Sequence, residues 1–229
     1  MDVCDKFGNI KFDPLIYNTH MAHPHLETKK RLKQKLEYYL KKLKEEKELF
    51  DVCRDRSAHR MAVPPLFLRL EDYVGAMDYF LWYDSNFPED AGFPEFYLAW
   101  AMTLFKNNQA QKAEAAVILS YIQNPYLIGL IVQKENPLVC GGLFQIESRE
   151  WAINAVHFCY LFMTPDFVTW LGGYTLSEAY SSFTGRIDSI NKLLDGERDQ
   201  PLRTNLTDAM SGIWYAHKAI IRQEATSNQ

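Results

Sequence analysis

The stretch PEFYLAWAMTLFKNNQAQKAEAAVILSYIQNP occupies residues 94–125. Its first part carries Tyr97, Trp100, Ala101, Leu104 and Phe105 at intervals close to 3.6, the period of a helix with one buried face. Lys106-Asn107-Asn108-Gln109 is a polar break, and asparagine tolerates the left-handed conformation that a tight turn can need. A second helix is predicted from Ala110, with Ala113, Ala116, Val117, Ser120 and Tyr121 on one side. Asn124-Pro125 ends it, because the residue before proline disfavours the α region. The unit is a helical hairpin.

The same plan stands upstream. Phe67, Ala76, Phe80 and Pro88 have the spacing of Leu104, Ala113, Val117 and Pro125, each 37 residues earlier. A fixed offset of this size is the mark of a repeat architecture. In the first copy the break is Glu71-Asp72, followed by a helix over Tyr73 to Tyr83 and an end at Phe87-Pro88. Pro64-Pro65 falls inside its first helix, which is therefore expected to kink or to begin near Pro64. A small residue at 76 and 113 suits two helices whose axes approach closely.

With Ser57 and Pro94 as first positions, the copies resemble the tetratricopeptide repeat (TPR), a helix–turn–helix unit of 34 residues. The family's second-helix alanine is Ala76 and Ala113, and its closing proline is Pro88 and Pro125. Its tryptophan position holds Arg60 and Tyr97, its leucine Val63 and Trp100, its glycine Pro64 and Ala101, and its tyrosine Phe67 and Leu104. The following aromatic position holds Phe80 and Val117, and the last small position Tyr83 and Ser120. Extra residues near 90–93 lengthen the period to 37. The resemblance covers 57–90 and 94–127 and implies an all-α superhelix of hairpins with flanking helices.

Working outward, residues 1–24 carry turn signals at Phe7-Gly8-Asn9 and Asp13-Pro14. His20, His23 and His25 have no cysteine or acidic cluster beside them, so no metal site is expected. A long helix is predicted over 25–53, with Leu32, Leu36, Tyr39, Leu43 and Phe50 as its apolar stripe. Between Lys29 and Lys47, nine basic residues against three acidic give +6, which leaves −10 for the rest of a chain of net charge −4. A solvated face neutralised by the acidic body is favoured over a nucleic-acid contact, since no nucleic-acid module accompanies the charge. Ser57 is a candidate N-cap, and the aromatic tract Tyr79 to Tyr83 reads as core.

Residues 128–223 read as further helices, compatible with a degenerate third repeat and a cap. An apolar helix is expected over Tyr126 to Lys134, stopped by Asn136-Pro137; Gly141-Gly142 lacks the rest of a phosphate-binding loop. Ser148 should cap a helix running to about Met163 that is buried all round, with His157 a core histidine. Thr164-Pro165-Asp166 is a start signal and Gly172-Gly173 an end. Thr175 to Glu178 has the form of a capping box and opens a helix with Leu176, Tyr180, Phe183, Ile187, Ile190 and Leu194 inward, ending at Gly196. After a loop containing Pro201, the last helix is placed over roughly Asn205 to Arg222, burying Leu206, Met210, Ile213, Trp214, His217 and Ile221.

Composition bounds the function. A hydrophobic share of 47% supports a core rather than disorder. Met1 to Ile10 has no apolar signal-like run, no stretch is long enough to span a bilayer, and Cys4, Cys53, Cys140 and Cys159 form no pair motif. A single cytoplasmic domain with reduced thiols is expected. His157, His217, Cys159 and Glu178 stand without motifs, so no catalytic residue and no cofactor are assigned. The TPR resemblance implies instead a scaffold or adaptor that holds a peptide or partner helix in a concave groove. Carried over by position, that groove takes in Ala62, Arg69, Ala99, Met102 and Lys106, with Phe105 beside them. Arg69 and Lys106 are again 37 apart, suited to an acidic partner. Self-association through the exposed edges is also compatible with the pattern.

Overall fold

Helix α4, Pro94–Lys106, is buried from Pro94 through Leu104 on every side, and the other helices are arranged to enclose it. The computed structural model describes residues 27–50, 59–132 and 148–223. All regular elements among them are helices: α1 Lys29–Phe50, α2 His59–Arg69, α3 Tyr73–Asn86, α4, α5 Ala110–Gln123, α6 Pro125–Ile131, α7 Arg149–Cys159, α8 Pro165–Tyr174, α9 Glu178–Gly196 and α10 Gln200–Arg222. Helices α2/α3 and α4/α5 are the two hairpins, and α2 and α3 both pack on α4. Helix α1 covers α2, the pair α6/α7 closes the far side, and α9/α10 lie over α5.

The hairpin turns repeat bond for bond. In the first, the N–H of Asp72 donates to the Phe67 carbonyl at 3.0 Å and that of Glu71 to Leu68 at 3.0 Å. In the second, Gln109 donates to Leu104 at 2.9 Å and Asn108 to Phe105 at 3.0 Å. This is the Schellman closure, in which the residue past the helix end turns left-handed so that two orphan carbonyls find donors. Glu71 has φ +62° and Asn108 φ +57°, the only two non-glycine residues with positive φ among those described. Helices α3 and α5 also begin and end 37 residues apart.

Between the hairpins, the three extra residues form a tether. Asp90 Oδ2 accepts from Arg60 Nε at 2.7 Å, and Asp90 Oδ1 accepts from the Gly92 N–H at 3.0 Å. Gly92 has φ +65°, a conformation that glycine adopts without steric cost. The Arg60 guanidinium lies 5.0 Å from the centre of the Phe87 ring, so a cation buried in α2 is matched by both a carboxylate and a π face. Next to it, Phe80 stacks on Trp100 at 4.9 Å and Tyr83 meets Phe96 at 4.5 Å, joining α3 to α4.

Several expectations are corrected. Helix α2 starts at His59, not near Pro64, and contains both prolines. Pro64 cannot donate to the Arg60 carbonyl, and Tyr79 Oη donates to it instead at 2.8 Å. A mid-helix proline costs about 3 kcal/mol, whereas burying Val63, Leu66, Phe67 and Leu68 contributes about 1.5–3 kcal/mol each; packing wins. Helix α3 runs to Asn86 with Phe87 as its C-cap, at the Phe87-Pro88 end given by the sequence. Helix α7 ends at Cys159 rather than near Met163, and Ile153, Asn154 and His157 face solvent because neighbours cover only one side of it. Helix α8 passes through Gly172-Gly173 to Tyr174. The cap of α9 is Ser177, whose Oγ accepts from the Tyr180 N–H at 3.1 Å; Thr175 Oγ1 bonds back to Gly172, and Leu176 is exposed. Helix α10 opens at Gln200 with Asp199 as cap, so Pro201 belongs to a first turn, where its missing N–H costs nothing. The expected ends of α1 at 25 and 51–53, Ser57, and the signals at 134–142 lie outside the described residues.

The turn geometry yields a paired expectation. Glu71→Gly should raise the stability measured by urea unfolding by about 0.5–1 kcal/mol, because glycine relieves the left-handed strain. Asn108→Gly should stay within about 0.5 kcal/mol, since asparagine already tolerates that region. A loss of stability in Glu71→Gly would show that the turn is not closed in this way.

Candidate partner-binding site

Each hairpin ends its first helix on a cation, and each cation holds a carboxylate from elsewhere in the chain. Arg69 is the last residue of α2, and its Nη1 donates to Glu27 Oε2 at 2.8 Å. Lys35 of α1 also donates to Glu27, at Oε1. All three side chains are mostly buried. Burial alone would raise the Glu27 carboxyl, but the bonds from Lys35 and Arg69 outweigh it and hold the group below its ordinary value. Lys106 is the last residue of α4 and donates to Asp166 Oδ2 at 2.7 Å, in the first turn of α8. That bond, first among its causes, draws the Asp166 carboxyl down to about 2. The Lys106 ammonium also lies over the rings of Tyr73 and Phe105.

The remaining groove positions are turned inward. Ala99 and Met102 are wholly buried in α4, and Ala62 is half-buried. Phe105 packs against Phe167 and Trp170 of α8, with ring centres 5.7 and 5.1 Å away. Helix α1 packs on α2, α7 packs on α4, and Phe167 of α8 covers Phe105, so these helices stand against the first helices of both hairpins. Sequence placed Arg69 and Lys106 in equivalent positions, and the structure keeps that register. It missed Glu27 and Asp166, which lie 42 and 60 residues from the cations they meet. Asp166 was visible only as an acid in a helix's first turn; nothing local pointed to its partner.

A second charged cluster fixes α10. Asp84 of α3 accepts from Lys218 Nζ at 2.7 Å and from Arg222 Nη2 at 3.0 Å. Lys218 is 1% exposed and lies 5.1 Å from the Trp100 ring centre. Burial pushes the Lys218 ammonium down, with Asp84 opposing. For Asp84 burial pushes up, yet Arg222 and Lys218 together leave the carboxyl below its ordinary value. Such a buried pair clamps one helix to another, and removing one member costs more than the pair contributes.

The four candidate reactive groups stand in different settings. Cys159 is fully buried, and burial pushes its thiol well up, away from the thiolate that a nucleophile needs. His217 is buried against the Phe183 ring, with Nδ1 2.7 Å from the Ile213 carbonyl, so the neutral ring donates there. His157 and Glu178 are exposed. Among the described residues no group of three His, Cys, Asp or Glu side chains could hold a metal ion, and no helix is long and apolar enough to cross a membrane. Comparison with protein-family models, with curated proteins and with solved structures finds no match.

Burial lowers the His217 pKa from 6.5. Below that value the unfolded chain takes up the proton more readily than the folded one, so stability present above pH 6.5 falls as pH drops. The contribution of this one group to the slope should reach at most about 1.4 kcal/mol per pH unit, and the slope below pH 6.5 should shrink in His217→Asn, read by urea unfolding at each pH. An unchanged slope in the variant would assign it to other groups.

Proposed function

We propose that this chain is a non-catalytic protein-interaction module, a TPR-like helical scaffold or adaptor that binds an acidic peptide or partner helix along the ends of its first helices. The observation that supports this reading is the matched pair of cations. Arg69 and Lys106 sit 37 residues apart, at the same place in each hairpin, and each engages a carboxylate, Glu27 at 2.8 Å and Asp166 at 2.7 Å. Charge-assisted bonds of this kind are among the stronger polar contacts and give directional recognition. Glu27 and Asp166 occupy the places that a partner's carboxylates would take, so a partner binds by displacing them. Asp166 is the easier to displace, being the more exposed of the two. A cytoplasmic location is part of the same proposal.

The alternative reading is a regulator that meets nucleic acid or an acidic protein through α1. Lys41 and Lys42 pair with Glu45, and Lys44 with Glu48, which lowers the charge that α1 offers to a polyanion. The cation pair is therefore favoured.

Two variants separate binding from folding. Arg69→Gln with Lys106→Gln removes the positive charges, and Glu27→Gln with Asp166→Asn removes the competing carboxylates. Both loosen the same contacts in the free chain. In affinity capture from nuclease-treated native lysate, with retained proteins quantified by mass spectrometry, the first pair should lose the partner that wild type holds by about 3–10-fold and the second should gain it by a similar factor. Capture that moves in the same direction in both variants, or in neither, overturns the proposal.

A further inference from the structure

The inward side of α8 is Phe167, Trp170, Leu171 and Tyr174. Their spacing is i, i+3, i+4, i+7, by which an amphipathic helix seats itself in a groove of another protein. Phe167 and Leu171 are wholly buried, whereas Pro165, Asp166, Thr169 and Gly173 face solvent. The seat is built from both hairpins. Phe105 and Lys106 close α4, and the ring of Tyr73, which opens α3, lies 5.5 Å from the Lys106 ammonium. Asn107 ties the two together, its Nδ2 donating to the Tyr73 carbonyl at 3.0 Å. At the far end of α8, Trp170 stacks on Tyr174 at 5.9 Å, and Tyr174 meets Tyr180 of α9 edge-on at 5.4 Å.

The first hairpin is met in the same manner. Glu27, on Arg69, stands just before α1, and the buried Leu32 follows it by five residues, as Leu171 follows Asp166. In both places a helix begins with its carboxylate on the hairpin's terminal cation. The attachments differ. Helix α1 packs along α2, and Glu27 is mostly buried. Among the described residues no helix packs along α8 in that way; side chains hold it, and the Asp166 side chain is 57% exposed. Gly172 and Gly173 stand in its last turns with nothing within 4 Å of where a β-carbon would be. Glycine in a helix costs stability, and here no close packing requires it.

From this arrangement we infer that α8 is the chain's own stand-in at the second hairpin, and that the partner is a helix of the same pattern. That pattern is a carboxylate followed by apolar anchors one, four, five and eight residues later, the first two of them aromatic. The inference rests on the reading that Lys106 receives a partner's carboxylate, and it names the chemistry of that partner. The exchange is helix for helix, because Phe167 and Leu171 leave apolar spaces that the incoming side chains must fill. A tethered α8 competes as if present at roughly millimolar concentration. A carboxylate alone does not displace it; a carboxylate with the anchors does.

The probe is a dye-labelled peptide of residues 163–175, with both of its glycines replaced by alanine to hold the helix. Its affinity is read by fluorescence anisotropy on the full chain as wild type, as Asp166→Asn, and as Gly172→Ala with Gly173→Ala, each shown by thermal melt to be folded. Asp166→Asn loosens α8 and should bind the peptide about 3–10-fold more tightly than wild type. The alanine variant touches no anchor and strengthens α8 in place, so it should bind about 10-fold more weakly. Asp166→Asn in the peptide should weaken binding about 3–10-fold. In NMR spectra of labelled chain with unlabelled peptide, the Trp170 indole N–H signal should move as α8 leaves. Absence of binding to the Asp166→Asn chain up to about 1 mM overturns the inference. So does equal affinity for all three chains, or a Trp170 signal that stays in place when the peptide binds. A lysate partner lost with Arg69→Gln and Lys106→Gln while the peptide fails to bind overturns this inference and leaves the cation reading standing.

Discussion

The structure depends on the burial of α4. From Pro94 to Leu104 every residue is buried, Glu95 and Thr103 included. A helix that is apolar all round must be enclosed, and a hairpin partner can cover only one side. Helix α5 supplies that side, α2 and α3 a second, and α7 a third. The rest is closed by single side chains from further along the chain. Trp214 of α10 meets Tyr97 edge-on at 5.2 Å, and Phe167 of α8 meets Phe105. Two hairpins alone would leave this helix half open; the C-terminal helices complete a core that the repeats begin.

Enclosure has an electrostatic consequence. Charged side chains near α4 are drawn out of water and must be matched inside the chain. Arg60 takes Asp90, Lys218 takes Asp84, Arg69 takes Glu27 and Lys106 takes Asp166. The pairs grade from structural to displaceable. Lys218–Asp84 is sealed beneath α10, whereas Asp166 stays more than half exposed. The same chemistry that closes the core thus places, at the two hairpin ends, one carboxylate that is largely buried and one that stays open to water.

What could be read from sequence was local. The breaks at Glu71-Asp72 and Lys106 to Gln109 were legible because a Schellman turn is built from consecutive residues, and the 37-residue offset carried it into both copies. Ser148 and Asn124-Pro125 were legible for the same reason. Misreadings arose where local signals compete or where distant contacts decide. Thr175 and Ser177 both offer a hydroxyl, and only packing selects Ser177. Pro64 signals a helix break, yet Tyr79, 15 residues on, satisfies the carbonyl it frees. His157 lies in an apolar run whose solvent-facing side depends on where α6 and α4 sit. Of the candidate site, the register of Arg69 and Lys106 was visible, but their occupation by Glu27 and Asp166 is a property of the folded chain alone.

The enclosure of α4 by its own chain can be read by native-state hydrogen exchange through a series of low denaturant concentrations. An enclosed helix opens only when the whole domain unfolds, so the amides from Tyr97 to Thr103 should exchange with the free energy and denaturant dependence of global unfolding. Helix α1, with its exposed crest, should exchange through smaller openings. Exchange of the α4 amides by local opening, at a free energy well below that of global unfolding, would show that the helix is not enclosed.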